Sequence, residues 1–160
     1  MILSPIITKY LSVFLFLISF STHGQNISSD VLKEFIRDAT DTKLNNIELS
    51  DKYFCTSIIH RNDKYGKEAR SYLEFALSNQ RKYLREKTLN FDNISFKPFN
   101  QLSESEIPPK PFHMLHETSH VYVGVYKGKA LLFFLLNENK IASTLLIGQG
   151  DEHYFVDFCH

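Results

Sequence analysis

In this chain of 160 residues the chemically suggestive stretch is His116-Glu117-Thr118-Ser119-His120. On a helix, positions four apart share a face, so the imidazoles of His116 and His120 could close on one Zn²⁺. Glu117 would then reach the metal-bound water as general base, which is hydrolase chemistry. Such a site needs a third ligand, and the downstream carboxylate that could serve is Glu138. The next three residues argue the other way, because Val121-Tyr122-Val123 are strong strand formers. On a strand the two imidazoles would share a face yet stand about 13 Å apart, at ~3.3 Å per residue, too far for one metal. The expectation is that a strand starts here with two surface or pocket histidines. A zinc-dependent hydrolase with His116, His120 and Glu138 as ligands and Glu117 as catalytic base is the alternative.

The motif resembles that of the zincin metallopeptidases. The resemblance implies a helix carrying both histidines, with Pro111 in its first turn, and a peptide-hydrolysing zinc centre. The chain departs from the metzincin continuation, since Gly124 comes one residue late and no histidine occurs between His120 and His153. His120 and His153 could also meet at the open end of a curved sheet and work as metal ligands or acid-base groups; strand-end histidines are the plainer reading. Cys159 stands too near the C-terminus to be held as a nucleophile. Cys55 and Cys159 could form one bridge in an oxidising compartment or remain two unrelated thiols, and sequence does not choose between them. No Gly-rich phosphate loop, serine nucleophile elbow or Cys-x-x-Cys pair is present.

The framework around these residues begins with a leader-like segment. Lys9 supplies a positive start. Tyr10 to Phe20 is an apolar run too short for a bilayer, which takes about 20 residues. Ser21, Thr22 and Gly24 are the small residues a signal peptidase prefers. Residues 1–24 are therefore expected to be a secretory signal peptide cut near Gly24, and 25–160 a single globular α+β domain, secreted or periplasmic. No later segment approaches a membrane span, so the mature chain is expected to be soluble. Basic and acidic residues balance at 18 each, which argues against a nucleic-acid binder.

Ser28-Ser29-Asp30 offers cap oxygens ahead of Val31, Leu32, Phe35, Ile36 and Ala39, which repeat at helical spacing. Residues 44–54 read as a short second helix. Lys67 to Lys87 reads as the longest helix, with an Arg70–Glu74 pair on its flank and Arg81, Lys82, Arg85 and Lys87 as a solvated basic end. Beyond a proline-bearing loop at 101–111 the periodicity changes to two. Strands are expected at 120–126, 130–136, 141–147 and 153–158, with turns at Lys127-Gly128-Lys129, 137–140 and 148–151.

Helices first and an antiparallel meander second make an α+β fold in which the helices cover one face of the sheet. This element order resembles the curved roll of the nuclear-transport-factor-2-like and cystatin-like proteins, which implies a pocket between sheet and helix. The resemblance lies in element order, so it assigns no residue a role. The leading expectation for function is a non-enzymatic binding module. Its partner would be a small apolar ligand or another exported protein, held in that cleft beside Phe112, Tyr122, Tyr126, Phe133, Phe134, Tyr154 and Phe155. An inhibitor or immunity-type partner using an exposed sheet edge is a further alternative.

Overall fold

The structure is a computed structural model that describes residues 23–160, apart from residues 88 and 109–111; for 23–28 it describes the backbone alone. The expected leader's apolar run and Pro111 lie outside the described residues, and the expected cut after Gly24 falls in the first described turn of helix α1.

Three helices come first: α1 (His23–Thr40), α2 (Asn46–Tyr53) and α3 (Lys64–Glu86). The strands come after them: β1 (Ser95–Pro98), β2 (His113–Met114), β3 (Val121–Tyr126), β4 (Lys129–Asn137), β5 (Lys140–Ser143), β6 (Leu146–Gln149) and β7 (Glu152–Phe155). The class is α+β, with N-terminal helices and a C-terminal, mainly antiparallel sheet system.

Ser28-Ser29-Asp30 does not start α1. No proline or glycine interrupts the residues between Gly24 and Asp30, so the helix runs through the potential caps. α2 starts where its chemistry says: Asn45 accepts from the Glu48 amide at 3.0 Å, and Glu48 accepts from the Asn45 amide at 2.8 Å. α3 begins three residues earlier than its apolar stripe suggests, because Asp63 caps it by accepting from the Gly66 amide at 2.9 Å.

The strands form two sheets rather than one meander. The larger has the order β1-β3-β4-β5, all antiparallel; the smaller has the order β2-β7-β6, in which β2 pairs parallel to β7. The expected strand over 141–147 is therefore two strands in different sheets. The break is local: the Ser143 hydroxyl, fully buried, accepts from the Leu145 amide at 3.0 Å and turns the chain. Side chains alternate across the larger sheet, so each face builds its own core. Phe96, Tyr122, Leu132, Phe134 and Leu136 point at the helices and meet Leu32, Phe35, Ile36, Leu73 and Leu77. Val121, Val123, Val125 and Leu135 point the other way and meet Met114 and Phe155 of the smaller sheet. β3 is buried along nearly its whole length because it is covered on both sides.

Phe35 is the hub of the helix layer. It lies edge-on to Tyr53, Phe54 and Phe134, with ring centroids 5.4, 5.7 and 6.0 Å away. Its burial stabilises the fold by about 1.5–3 kcal/mol, with edge-to-face contacts adding to that. Gly124 lets β1 lie close, since a Cβ there would come within 2.9 Å of the Phe96 ring. Cys55 and Cys159 form a disulfide across 104 residues, with Cα atoms 5.1 Å apart. It fastens the C-terminal segment beside β5, where the Cys55 amide donates to the Ile141 carbonyl at 3.2 Å and that of Phe158 to Ala142 at 2.9 Å.

Candidate functional site

A groove of about 740 Å³ lies between α2 and α3, closed at one end by the 59–60 segment. Three local devices open it. Asn45 and Glu48 fix the start of α2, as above. Arg70 on α3 donates to the carbonyls of Ile59 and Arg61, which holds the connecting loop against the helix. Gly66 permits that approach, because a Cβ there would overlap the Arg61 carbonyl. Arg70 is thus spent on backbone carbonyls and makes no ion pair with Glu74, contrary to the expectation from their spacing. Glu74 accepts from the Asn46 amide group at 2.7 Å, at the groove's rim.

The groove's floor is apolar: Ile59, Leu73 and Leu77 are buried there, and Ile47 lies at its lip 70% exposed. Its rim is polar, with Ser50, Ser71 and a couple between His60 Nε2 and Asp51 Oδ1 at 3.0 Å. Among the described residues no hydroxyl or thiol is hydrogen-bonded to His60; its side-chain partner is the Asp51 carboxylate.

A second, shallower cleft of about 390 Å³ lies between α3 and the sheet, lined by Tyr83, Leu131, Phe133 and Leu145. Two more of its lining residues, Gln80 and Thr144, have a buried side-chain oxygen with no hydrogen-bond partner among the described residues. Arg81 does not belong to a solvated basic end. It is 8% exposed and donates to Asn46 Oδ1 at 2.8 Å and to the carbonyls of Asp41 and Leu44 at 2.9 and 2.6 Å. Burial pulls its guanidinium below the usual arginine range.

The strongest electrostatic perturbation lies between α1 and α2. Tyr53 donates to Asp38 at 2.6 Å, and Lys52 donates to Asp38 and Glu34 at 2.9 and 2.8 Å. Burial pushes the Asp38 carboxyl up, but the bonds from Tyr53 and Lys52 outweigh it and leave the group below its ordinary range. Burial and the Asp38 bond push the Tyr53 phenol well up. This cluster ties two helices together, and none of Glu34, Asp38, Lys52 and Tyr53 lines the groove.

The His116–His120 segment is a bend and then a turn, not a helix. The His120 amide donates to the Glu117 carbonyl at 3.1 Å, and the His120 carbonyl accepts from Leu136 as β3 begins pairing with β4. Strand pairing from Val121 onward thus forces the chain out of the geometry that a zinc helix requires. His116 rests edge-on to Phe155, its Nε2 3.3 Å from the Phe155 carbonyl, and Glu117 accepts from Ser119 at 2.7 Å. His116, Glu117 and His120 do line one small cavity of about 190 Å³ with Asp157 and His160. Glu138, the expected third ligand, sits in the β4–β5 turn at φ 53° and is not among the lining residues. Among the described residues no group of three or more His, Cys, Asp or Glu is placed to hold a metal ion. As arranged, His116, Glu117, His120 and Glu138 do not fit a zinc centre. His153 does not join His120 either; it stacks on Phe112 with centroids 4.0 Å apart and covers Gly148.

Comparison with protein-family models, curated proteins and solved structures finds no match. Among the aromatics expected to line a cleft, Phe134, Phe155 and Tyr122 fill the two cores, and Phe112 stacks on Phe99 and Phe133 between the sheets. Sequence reasoning missed the groove because its floor residues belong to two helices and a loop. Ile47 was legible as an apolar position of α2, but the void beneath it is a property of the packing. No helix among the described residues is long and apolar enough to cross a membrane.

Proposed function

We propose that this chain is an exported, non-enzymatic module that holds a small, mostly apolar molecule in the groove between α2 and α3. The observation that carries the reading is the groove itself: about 740 Å³, with an apolar floor and a sparse polar rim. Cavities of about 300–1,000 Å³ with that lining are the usual form of small-molecule sites. The ligand's body lies on Ile47, Ile59, Leu73 and Leu77, and a polar end meets the Asp51–His60 couple. Export is supported by the Lys9 and Tyr10–Phe20 pattern with its small residues, and by the Cys55–Cys159 bridge, which an oxidising compartment maintains.

The test is titration with anilinonaphthalene sulfonate, whose emission rises in apolar surroundings; the chain has no tryptophan to compete. Saturable binding of one dye per chain is expected, weakened roughly tenfold by Ile47→Asp, a loss of about 1.4 kcal/mol. Ile47 is exposed enough for the variant to fold. Dye binding that survives Ile47→Asp but is lost in Gln80→Ala would move the site to the cleft between α3 and the sheet. Absence of saturable binding by the folded protein would sink the reading.

A further inference from the structure

Among the described residues nothing covers the outward face of α3 around Phe75, and that face carries a pattern that matches itself. Phe75 stands at the middle of the helix, 61% exposed, with Tyr72 beside it at 55%. Ser71, Ser78 and Asn79 surround Phe75 at helical spacing, all exposed and none bulky enough to stop a second helix from approaching. Outward along the same face the charges are ordered. Toward the N-terminus lie Glu68 and Lys64, an i,i+4 pair with Nζ and Oε1 3.7 Å apart. Toward the C-terminus lie Lys82 and Glu86, the same kind of pair at 3.9 Å. Glu68 and Lys82 are equidistant from Phe75, about two turns away on either side, and Lys64 and Glu86 are equidistant at about three turns.

We propose that this face is a two-fold contact between two copies of the chain, with their α3 helices antiparallel and crossing at Phe75. A two-fold axis through that residue places Glu68 of one copy against Lys82 of the other, and Lys64 against Glu86, each pairing occurring twice. In an isologous contact the same patch must complement itself, and an exposed aromatic flanked by charges that exchange sign about it does so. Phe75 supplies the apolar centre, and the two rings meet over the small residues around them. The charges fix register and direction: a parallel pairing in register would set Glu68 against Glu68 and Lys82 against Lys82. Of the residues in this contact only Ser71 also lines the groove between α2 and α3, at its rim, so the contact does not depend on the ligand reading.

Sedimentation velocity of the protein purified from expression of the full chain tests the proposal, with far-ultraviolet circular dichroism confirming that each variant is folded. All substituted side chains are exposed, so folding should be retained. The wild type should be a reversible dimer in the micromolar range. Phe75→Asp should be monomeric. Glu68→Lys and Lys82→Glu should each raise the dissociation constant roughly tenfold or more, since each sets like charges opposite one another twice. An equimolar mixture of those two variants should regain dimer, because the heterodimer restores both pairings. A wild type that stays monomeric, a dimer indifferent to Phe75→Asp, or a mixture that remains monomeric would each overturn the proposal.

Discussion

Lys127 and Glu138 hold left-handed backbone, at φ 51° and 53°, in the turns on either side of β4. Lys127 precedes Gly128 at φ 71°, which makes the β3–β4 connection a two-residue turn of the kind that favours Asn-Gly. A side chain bearing Cβ is disfavoured there by about 1–2 kcal/mol, less for asparagine. Lys127→Asn should therefore stabilise the protein by up to about 1 kcal/mol in urea unfolding; an unchanged or lowered midpoint would show that Lys127 has a compensating role. This turn was legible in the sequence because Lys127-Gly128-Lys129 interrupts two apolar strand runs. Arg81 was not legible. Its neighbours Lys82 and Arg85 are exposed, and nothing in the local pattern says that one basic residue of the three turns inward to bind the carbonyls of the α1–α2 loop. His116 and His120 show the opposite failure: a motif complete in letters lost its geometry to the strand pairing that begins one residue later.

Between elements, Glu106 is the chief polar fastener of the loop after β1. Its carboxylate accepts from Lys97 on β1 at 2.6 and 2.7 Å and from the Ser103 amide and hydroxyl at 2.8 and 2.9 Å. Its own carbonyl accepts from Ala130 on β4 at 3.0 Å. The Lys97 bond, and after it those from Ser103, pulls the Glu106 carboxyl from 4.5 down to about 2. A depressed carboxylate stabilises the fold in full above its unfolded value and ceases to do so as pH falls through the folded one. Glu106→Gln should therefore lower the melting temperature at pH 7, and its deficit against wild type should shrink as pH falls from about 4.5 toward 2. A deficit that stays constant over that window would mean the contact acts through shape and not charge. The α1, α2 and α3 segments and the β3–β4–β5 hairpins were readable from periodicity and turns. The split of 141–147 was not, because the residues on both sides of Ser143 are good strand formers. What divides them is a buried hydroxyl and the position of a second sheet.

At the scale of the molecule, one four-stranded sheet separates two cores, helices on one side and a small sheet on the other. The groove lies in the angle between α2 and α3, floored by Ile59, Leu73 and Leu77 at the edge of the helix-side core; no phenylalanine or tyrosine lines it, which is why aromatic content pointed toward the sheet instead. The disulfide joins the start of the α2–α3 loop to the chain's last turn. The double variant Cys55→Ser/Cys159→Ser should lose about 2–5 kcal/mol, read as the shift in urea unfolding. Wild type in reductant should fall to the same value, and no difference between oxidised and reduced protein would show that the bridge constrains little.

That bridge also sets an order in time. Its two sulfurs are 104 residues apart in the sequence, so at a synthesis rate of about 5–20 residues per second the first waits roughly 5–20 s for the second. Phe54 waits almost as long for Phe134 and Ile141, the strand residues that help bury it. During that interval Cys55 is an unpaired thiol on a chain whose helices have no sheet to rest on. With two cysteines in the sequence there is no wrong partner within it. The errors open to a nascent chain are therefore between molecules, and they should scale with how many such chains are being made side by side.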